Sequence, residues 1–114
     1  MNDVQSGSAS SKLVSQLVID DPEMIDIVTE FVGDLPGRIA EMQNAHRELD
    51  WEMLRTCAHR LKGAGGSYGY PTLSEIAARL ERGFIERRDD QFSDLVAQLQ
   101  RLADAAAAGL AKQA

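Results

Sequence analysis

Cysteine, aromatic residues and long apolar runs are all scarce in this chain, and each scarcity removes a class of protein. The 114 residues include one cysteine. No internal disulfide can form, so nothing argues for an oxidising, secretory setting. No apolar run approaches the roughly 20 residues of a membrane-spanning helix. The stretch from Met1 to Lys12 is polar and lacks the apolar centre of a signal peptide. A soluble protein in a reducing, cytoplasmic compartment is expected. Basic residues are outnumbered, 12 Lys and Arg against 18 Asp and Glu, for a net charge of −6. That balance weighs against a general binder of nucleic acid or of an anionic membrane, both of which require basic surface. Aromatics make up 5% of the residues, so the core must be largely aliphatic. Sustained period-two alternation is missing, and with it any sign of a strand.

What the chain has is helical periodicity at the length of one domain, enough to bury about two-thirds of the unfolded surface. Residues 1–10, rich in Ser, Gly, Asn and Asp, read as a mobile tail, with a bundle domain over 11–114. Leu13, Val14, Leu17 and Val18 are spaced for a short amphipathic helix that covers one end of the bundle. Asp20-Asp21-Pro22-Glu23 is a helix start, with an Asp cap and Pro in the first turn. Ile25, Val28, Phe31, Val32 and Leu35 follow on one stripe. Pro36-Gly37 should break or kink that helix, with Asp34 capping a restart, and Ile39, Met42, Ala45, His46 and Leu49 continue the stripe. His46 reads as a packed or hydrogen-bonded histidine beside the core.

Asp50 can cap a third helix, from Trp51 to about Tyr68, with Gly69 at a left-handed C-terminal position and Pro71 pushing Tyr70 out of the helix. Thr72-Leu73-Ser74-Glu75 has the form of a capping box, ahead of a stripe of Leu73, Ile76, Ala77, Leu80 and Phe84. Arg87-Arg88-Asp89-Asp90 makes a polar turn with Asp89 or Asp90 as cap. The last helix carries Phe92, Leu95, Val96, Leu99, Leu102, Ala103, Ala106 and Leu110, and Ala105 to Ala108 reads as a fraying end. The expected fold is an all-α antiparallel four-helix bundle with a short extra N-terminal helix.

The third helix holds the candidate chemistry. Cys57, Leu61, Ala64 and Tyr68 gather on one side at about 100° per residue, flanked by Leu54, Ala58 and Gly65. His59 projects opposite Leu61, ringed by Arg55, Thr56, Lys62, Gly63 and Gly66. Interior glycine costs a helix roughly 0.5–1 kcal/mol relative to alanine, so three glycines within one turn require another reason. A dinucleotide loop is excluded, because Tyr68 stands where G-x-G-x-x-G needs glycine and no strand precedes. A metal site from Cys57, His59 and His46 fails because Cys57 and His59, two apart on a helix, point to opposite faces and cannot share one ion, so Cys57 reads as a small buried apolar residue. No nucleophile elbow or triad pattern marks a hydrolase. An exposed imidazole remains, largely neutral near pH 7 when unperturbed. One of its nitrogens can attack phosphorus, with Lys62 one turn on to meet phosphoryl oxygens and Gly63 and Gly66 clearing space.

The run His59-Arg60-Leu61-Lys62-Gly63-Ala64-Gly65-Gly66-Ser67-Tyr68-Gly69 resembles the active-site helix of histidine-containing phosphotransfer (HPt) domains, whose pattern is roughly His-x-Leu-Lys-Gly-small-small and then Gly. Gly65-Gly66 is richer in glycine than that pattern. The resemblance implies that His59 accepts a phosphoryl group from a receiver-domain aspartate and passes it to another. Lys62 would stabilise the phosphoryl oxygens, and Arg55, Thr56, Gly63 and Gly66 would meet the partner, a response regulator or hybrid histidine kinase. It also implies a carrier with no ATP site and no cofactor of its own, the Mg²⁺ belonging to the receiver. A monomer is expected, and Met1 with its short tail suggests a free-standing protein. The alternatives are a helical module that binds a receiver without being phosphorylated, and a phosphoacceptor fragment of a hybrid histidine kinase.

Overall fold

The computed structural model describes residues 13–114, and the expected tail at 1–10 lies outside them. Five α-helices follow one another: α1 (Gln16–Asp20), α2 (Ile25–Arg47), α3 (Trp51–Ser67), α4 (Pro71–Ile85) and α5 (Phe92–Gln113), with a 3-10 turn at Pro22–Met24 leading into α2. No strand occurs among the described residues. The four long helices form the bundle. One continuous core runs through it, including Val28, Leu35 and Met42 of α2, Leu54, Ala58 and Leu61 of α3, Leu73, Ala77 and Leu80 of α4 and Leu95 and Leu99 of α5.

Two of the expected caps form, Asp21 on the 3-10 turn that leads into α2 and Asp50 on α3. Asp21 Oδ1 accepts from Glu23 N–H at 3.3 Å and Asp50 Oδ1 from Met53 N–H at 3.1 Å. Two caps do not form. Helix α4 begins at Pro71 with Tyr70 as its flanking residue, so Thr72 already lies within the helix and the capping box is not made. Helix α5 is flanked by Gln91 without a side-chain cap, because Asp89 turns its carboxylate to His46 instead. Of the break or kink expected at Pro36, the break does not occur: α2 runs through it as one helix, with no restart for Asp34 to cap. Proline removes one backbone bond at a cost of about 3 kcal/mol. The buried stripe passes straight through it, with Phe31, Val32 and Leu35 before and Ile39, Met42 and Ala45 after, and each fully buried large side chain contributes roughly 1.5–3 kcal/mol. Leu49 leaves the stripe: it sits in the turn after α2 at φ 51° and is exposed.

The expected short N-terminal helix forms as α1, with Leu17 and Val18 in it, and the residues before it act as a strap. Val14 is exposed and precedes α1, whereas Ser15, unremarked in the sequence, is fully buried. Its Oγ donates to the Tyr68 carbonyl at 2.7 Å and accepts from Val18 N–H. Gln16 N–H donates to the Gly69 carbonyl and Leu13 N–H to that of Ala105, both at 2.9 Å. Gly69 has φ 88°, and a β-carbon there would collide with the Leu17 and Gln16 backbone, so glycine serves both the turn and the close approach. The strap also corrects the reading of Ala105 to Ala108 as a fraying end. Ala105 and Ala106 are buried, and α5 runs on to Gln113.

Candidate functional site

Helices α3 and α4 are antiparallel and form the closest pair in the bundle, and their contact builds the site. Gly65 makes it possible, since a β-carbon there would lie 3.0 Å from the Ser74 backbone nitrogen. One turn away, Ser74 Oγ donates to the Lys62 carbonyl at 2.8 Å. The buried stripe of α3 is Leu54, Ala58, Leu61 and Gly65. Cys57, Ala64 and Tyr68, expected at its centre, are only half-buried at its edge. Cys57 borders an open cleft with Arg38, Glu41 and Arg60, and burial pushes its thiol pKa upward.

His59 stands on the opposite side with 65% of its side chain exposed. Arg55, Gly63 and Gly66 share the exposed side of the helix, and Thr56 and Lys62 sit half-buried at its margin. A β-carbon at Gly63 would meet nothing within 4 Å. No internal packing therefore accounts for that glycine.

The residue that organises the site was not foreseen. Glu81 of α4 lies one helical face round from Arg82, on the side turned to α3, and its side chain is only 13% exposed. Its Oε2 is 2.9 Å from His59 Nδ1, and its Oε1 is 2.8 Å from Lys62 Nζ. One carboxylate thus receives both groups. The Lys62 hydrogen bond holds the Glu81 carboxyl below its ordinary range and His59 adds to this, against partial burial that pushes it up. Glu81 is therefore ionised at neutral pH and can only accept. The proton between it and His59 must sit on Nδ1, so the neutral ring keeps its lone pair on Nε2. A sequence signal existed: Ser74 and Glu81 are seven residues apart on α4 and so share one face, between the buried stripe and the exposed arginines.

His46 is far from this constellation in the fold. Its ring stacks on Phe92 at 3.9 Å between centroids, and its Nε2 lies 2.9 Å from Asp89 Oδ2. This is the packed, hydrogen-bonded histidine expected from sequence, and it ties the end of α2 to the turn before α5.

A family model, the Hpt domain, matches residues 26–109. The chain belongs to the Hpt family. The match runs from the start of α2 nearly to the end of α5 and takes in the whole α3–α4 pair. No curated protein and no solved structure matched the chain. Hpt domains are phosphocarriers of two-component systems and interact with receiver domains, and the all-α bundle found here agrees with that membership. Among the described residues, no helix is long and apolar enough to cross a membrane.

Proposed function

We propose that His59 is the phosphoacceptor of this Hpt domain and Nε2 its reacting atom. The observation that carries this reading is the Glu81 bridge, which assigns the ring proton to Nδ1 and leaves the other nitrogen as a nucleophile on an exposed side chain. In the forward step the Nε2 lone pair attacks the phosphorus of a receiver's aspartyl phosphate. The N–P bond forms as the P–O bond to the aspartate breaks, and the carboxylate leaves. The ring becomes cationic, and its Nδ1 proton stays hydrogen-bonded to the Glu81 carboxylate, which offsets the new charge. Transfer to a second receiver aspartate reverses these bond changes.

Lys62 is the residue that meets phosphoryl oxygens. At rest its ammonium is bound to Glu81, half-exposed and next to the histidine, so it is placed to share its three donors with an arriving anion. Gly63 and Gly66 keep the approach free of side chains, and Arg55 and Thr56 lie on the surface the partner covers. Residues 51–85 hold five basic and three acidic side chains in a chain whose net charge is −6. The helix pair bearing His59 is therefore a basic region of an acidic protein, suited to a partner whose phosphoacceptor is an aspartate. Mg²⁺ chemistry is left to the receiver, and this chain acts as a monomeric carrier without autokinase activity.

The experiment is incubation with a receiver domain carrying ³²P on its aspartate, followed by chase with a second receiver. Label should enter the wild type and His46→Gln, leave on the chase, and be absent from His59→Gln. Wild-type levels of label in His59→Gln would reject the assignment. A receiver that binds the wild type without transferring label would establish the pure interaction module instead.

A further inference from the structure

A second cluster of charged side chains lies on the other side of α4. A cleft of about 170 Å³ opens between the C-terminal half of α4 and the start of α5, and Arg79, Arg82, Arg88, Asp90 and Gln91 line it. No residue of α3 contributes, so it is separate from the His59 site. We propose that this cleft binds hydrogen phosphate.

The arginines are the first reason. Glu75 and Arg79, and likewise Arg82 and Glu86, are four residues apart on α4, the spacing at which helix ion pairs form. Among the described residues neither pair is made; Glu86 Oε1 instead takes Arg88 at 2.9 Å. The remaining acid of this helix, Glu81, is committed to His59 and Lys62. Arg79 and Arg82, ion-paired with no acid among the described residues, therefore bring two guanidinium groups to one concavity. Like charges placed together in water-exposed clefts repel, and an anion between them removes that cost. Guanidinium forks match the paired oxygens of a tetrahedral oxyanion.

Asp90 decides which oxyanion. A carboxylate in the lining repels an anion that has no proton, but it accepts a hydrogen bond from one that has. Inorganic phosphate keeps an O–H near neutral pH, whereas sulfate has none and can only present oxygens to the Asp90 carboxylate. The cleft also has room: at about 30 Å³ per water it holds several waters, and a five-atom ion replaces about two of them while the rest stay to bridge it to the walls. Gly83 has its carbonyl bonded to Arg88 N–H at 2.8 Å, so an ion held by Arg88 and α4 closes over a turn that is already folded back.

The test is a ¹H–¹⁵N NMR titration of the full chain at constant ionic strength and pH 7.5, with inorganic phosphate in one series and sulfate in another. Phosphate should give saturable amide shifts at Gly83, Arg88 and Gln91, with affinity about tenfold or more above that for sulfate. The double variant Arg79→Ala/Arg82→Ala should lose about tenfold or more of it, the scale of one charge-assisted hydrogen bond. Asp90→Asn should bring sulfate up to the affinity of phosphate. The proposal is overturned by an absence of saturable shifts, by equal affinity for the two anions in the wild type, or by shifts centred on Gly63 to Gly66. Should the double variant fold poorly, the loss of phosphate selectivity in Asp90→Asn decides alone. The outcome is independent of phosphotransfer at His59.

Discussion

Replacing Glu81 by glutamine keeps the side chain's shape and removes its charge. The amide has one oxygen where the carboxylate has two, and two partners now compete for it. If the oxygen serves Lys62, the amide N–H₂ faces His59 Nδ1 and favours the tautomer in which Nδ1 accepts and Nε2 carries the proton. A hydrogen bond to a charged group is worth about 1.5–3 kcal/mol, so its loss moves the tautomer ratio by about tenfold to a hundredfold. The outward nitrogen then has no lone pair to offer. Ring-¹⁵N NMR should show His59 changing from the Nδ1–H to the Nε2–H form in Glu81→Gln, with His46 unchanged as an internal control. Phosphoryl uptake from a labelled receiver should slow by about tenfold. The same variant carries a stability prediction with a definite sign. Glu81's folded pKa is depressed, so its contribution is present above the ordinary carboxylate range near 4.3 and is lost as pH falls through the lower folded value. Urea unfolding should therefore show Glu81→Gln weaker than wild type by about 1 kcal/mol at pH 7, with the difference closing as pH falls below the ordinary carboxylate range. An unchanged tautomer together with wild-type uptake would refute the assignment of the proton by Glu81.

The remaining predictions concern the helix surface and its supports. Gly63→Ala, with open space around its β-carbon, should raise stability by about 0.5–1 kcal/mol in a thermal or urea melt and yet slow phosphoryl uptake, because the methyl group enters the partner's approach. Gly65→Ala, whose β-carbon would press on the Ser74 backbone at 3.0 Å, should instead destabilise by about 1–3 kcal/mol. Lys62→Ala should slow transfer while leaving the circular-dichroism spectrum unchanged; an unfolded variant would show that Lys62 is structural. Tyr70 is fully buried, its hydroxyl lacks a partner among the described residues, and burial pushes its pKa up to about 12. Tyr70→Phe should accordingly be neutral or stabilise by up to about 1 kcal/mol in urea, and a loss of more than that would reveal a hydrogen bond to water.

Much of the bundle could be read from the chain because its apolar positions repeat at helical spacing and because Asp21, Asp50 and Gly69 each have one local task, which they perform. Misreadings arose where a tertiary partner, or a different local signal, prevailed over the expected one. Asp89 leaves α5 uncapped to reach His46, α4 begins at Pro71 and so takes Thr72 inside the helix, and the core stripe carries α2 through Pro36. Ser15 gave no signal at all, since its burial depends on the approach of a turn 53 residues away. The candidate site divides in the same way. His59, Lys62, Gly63 and Gly66 are close in sequence on one helix, so spacing alone groups them. Glu81 comes from the neighbouring helix, 22 residues on, and only the α3–α4 packing brings its carboxylate between the histidine and the lysine.

The reading of His59 rests on one atom, and that atom can be observed. The chain, labelled with ¹⁵N in its histidine rings and phosphorylated by a receiver, should show a phosphorus–nitrogen coupling at Nε2 of His59, with the Nδ1 proton retained. Phosphorus on Nδ1 of His59, or on any other side chain, would contradict it.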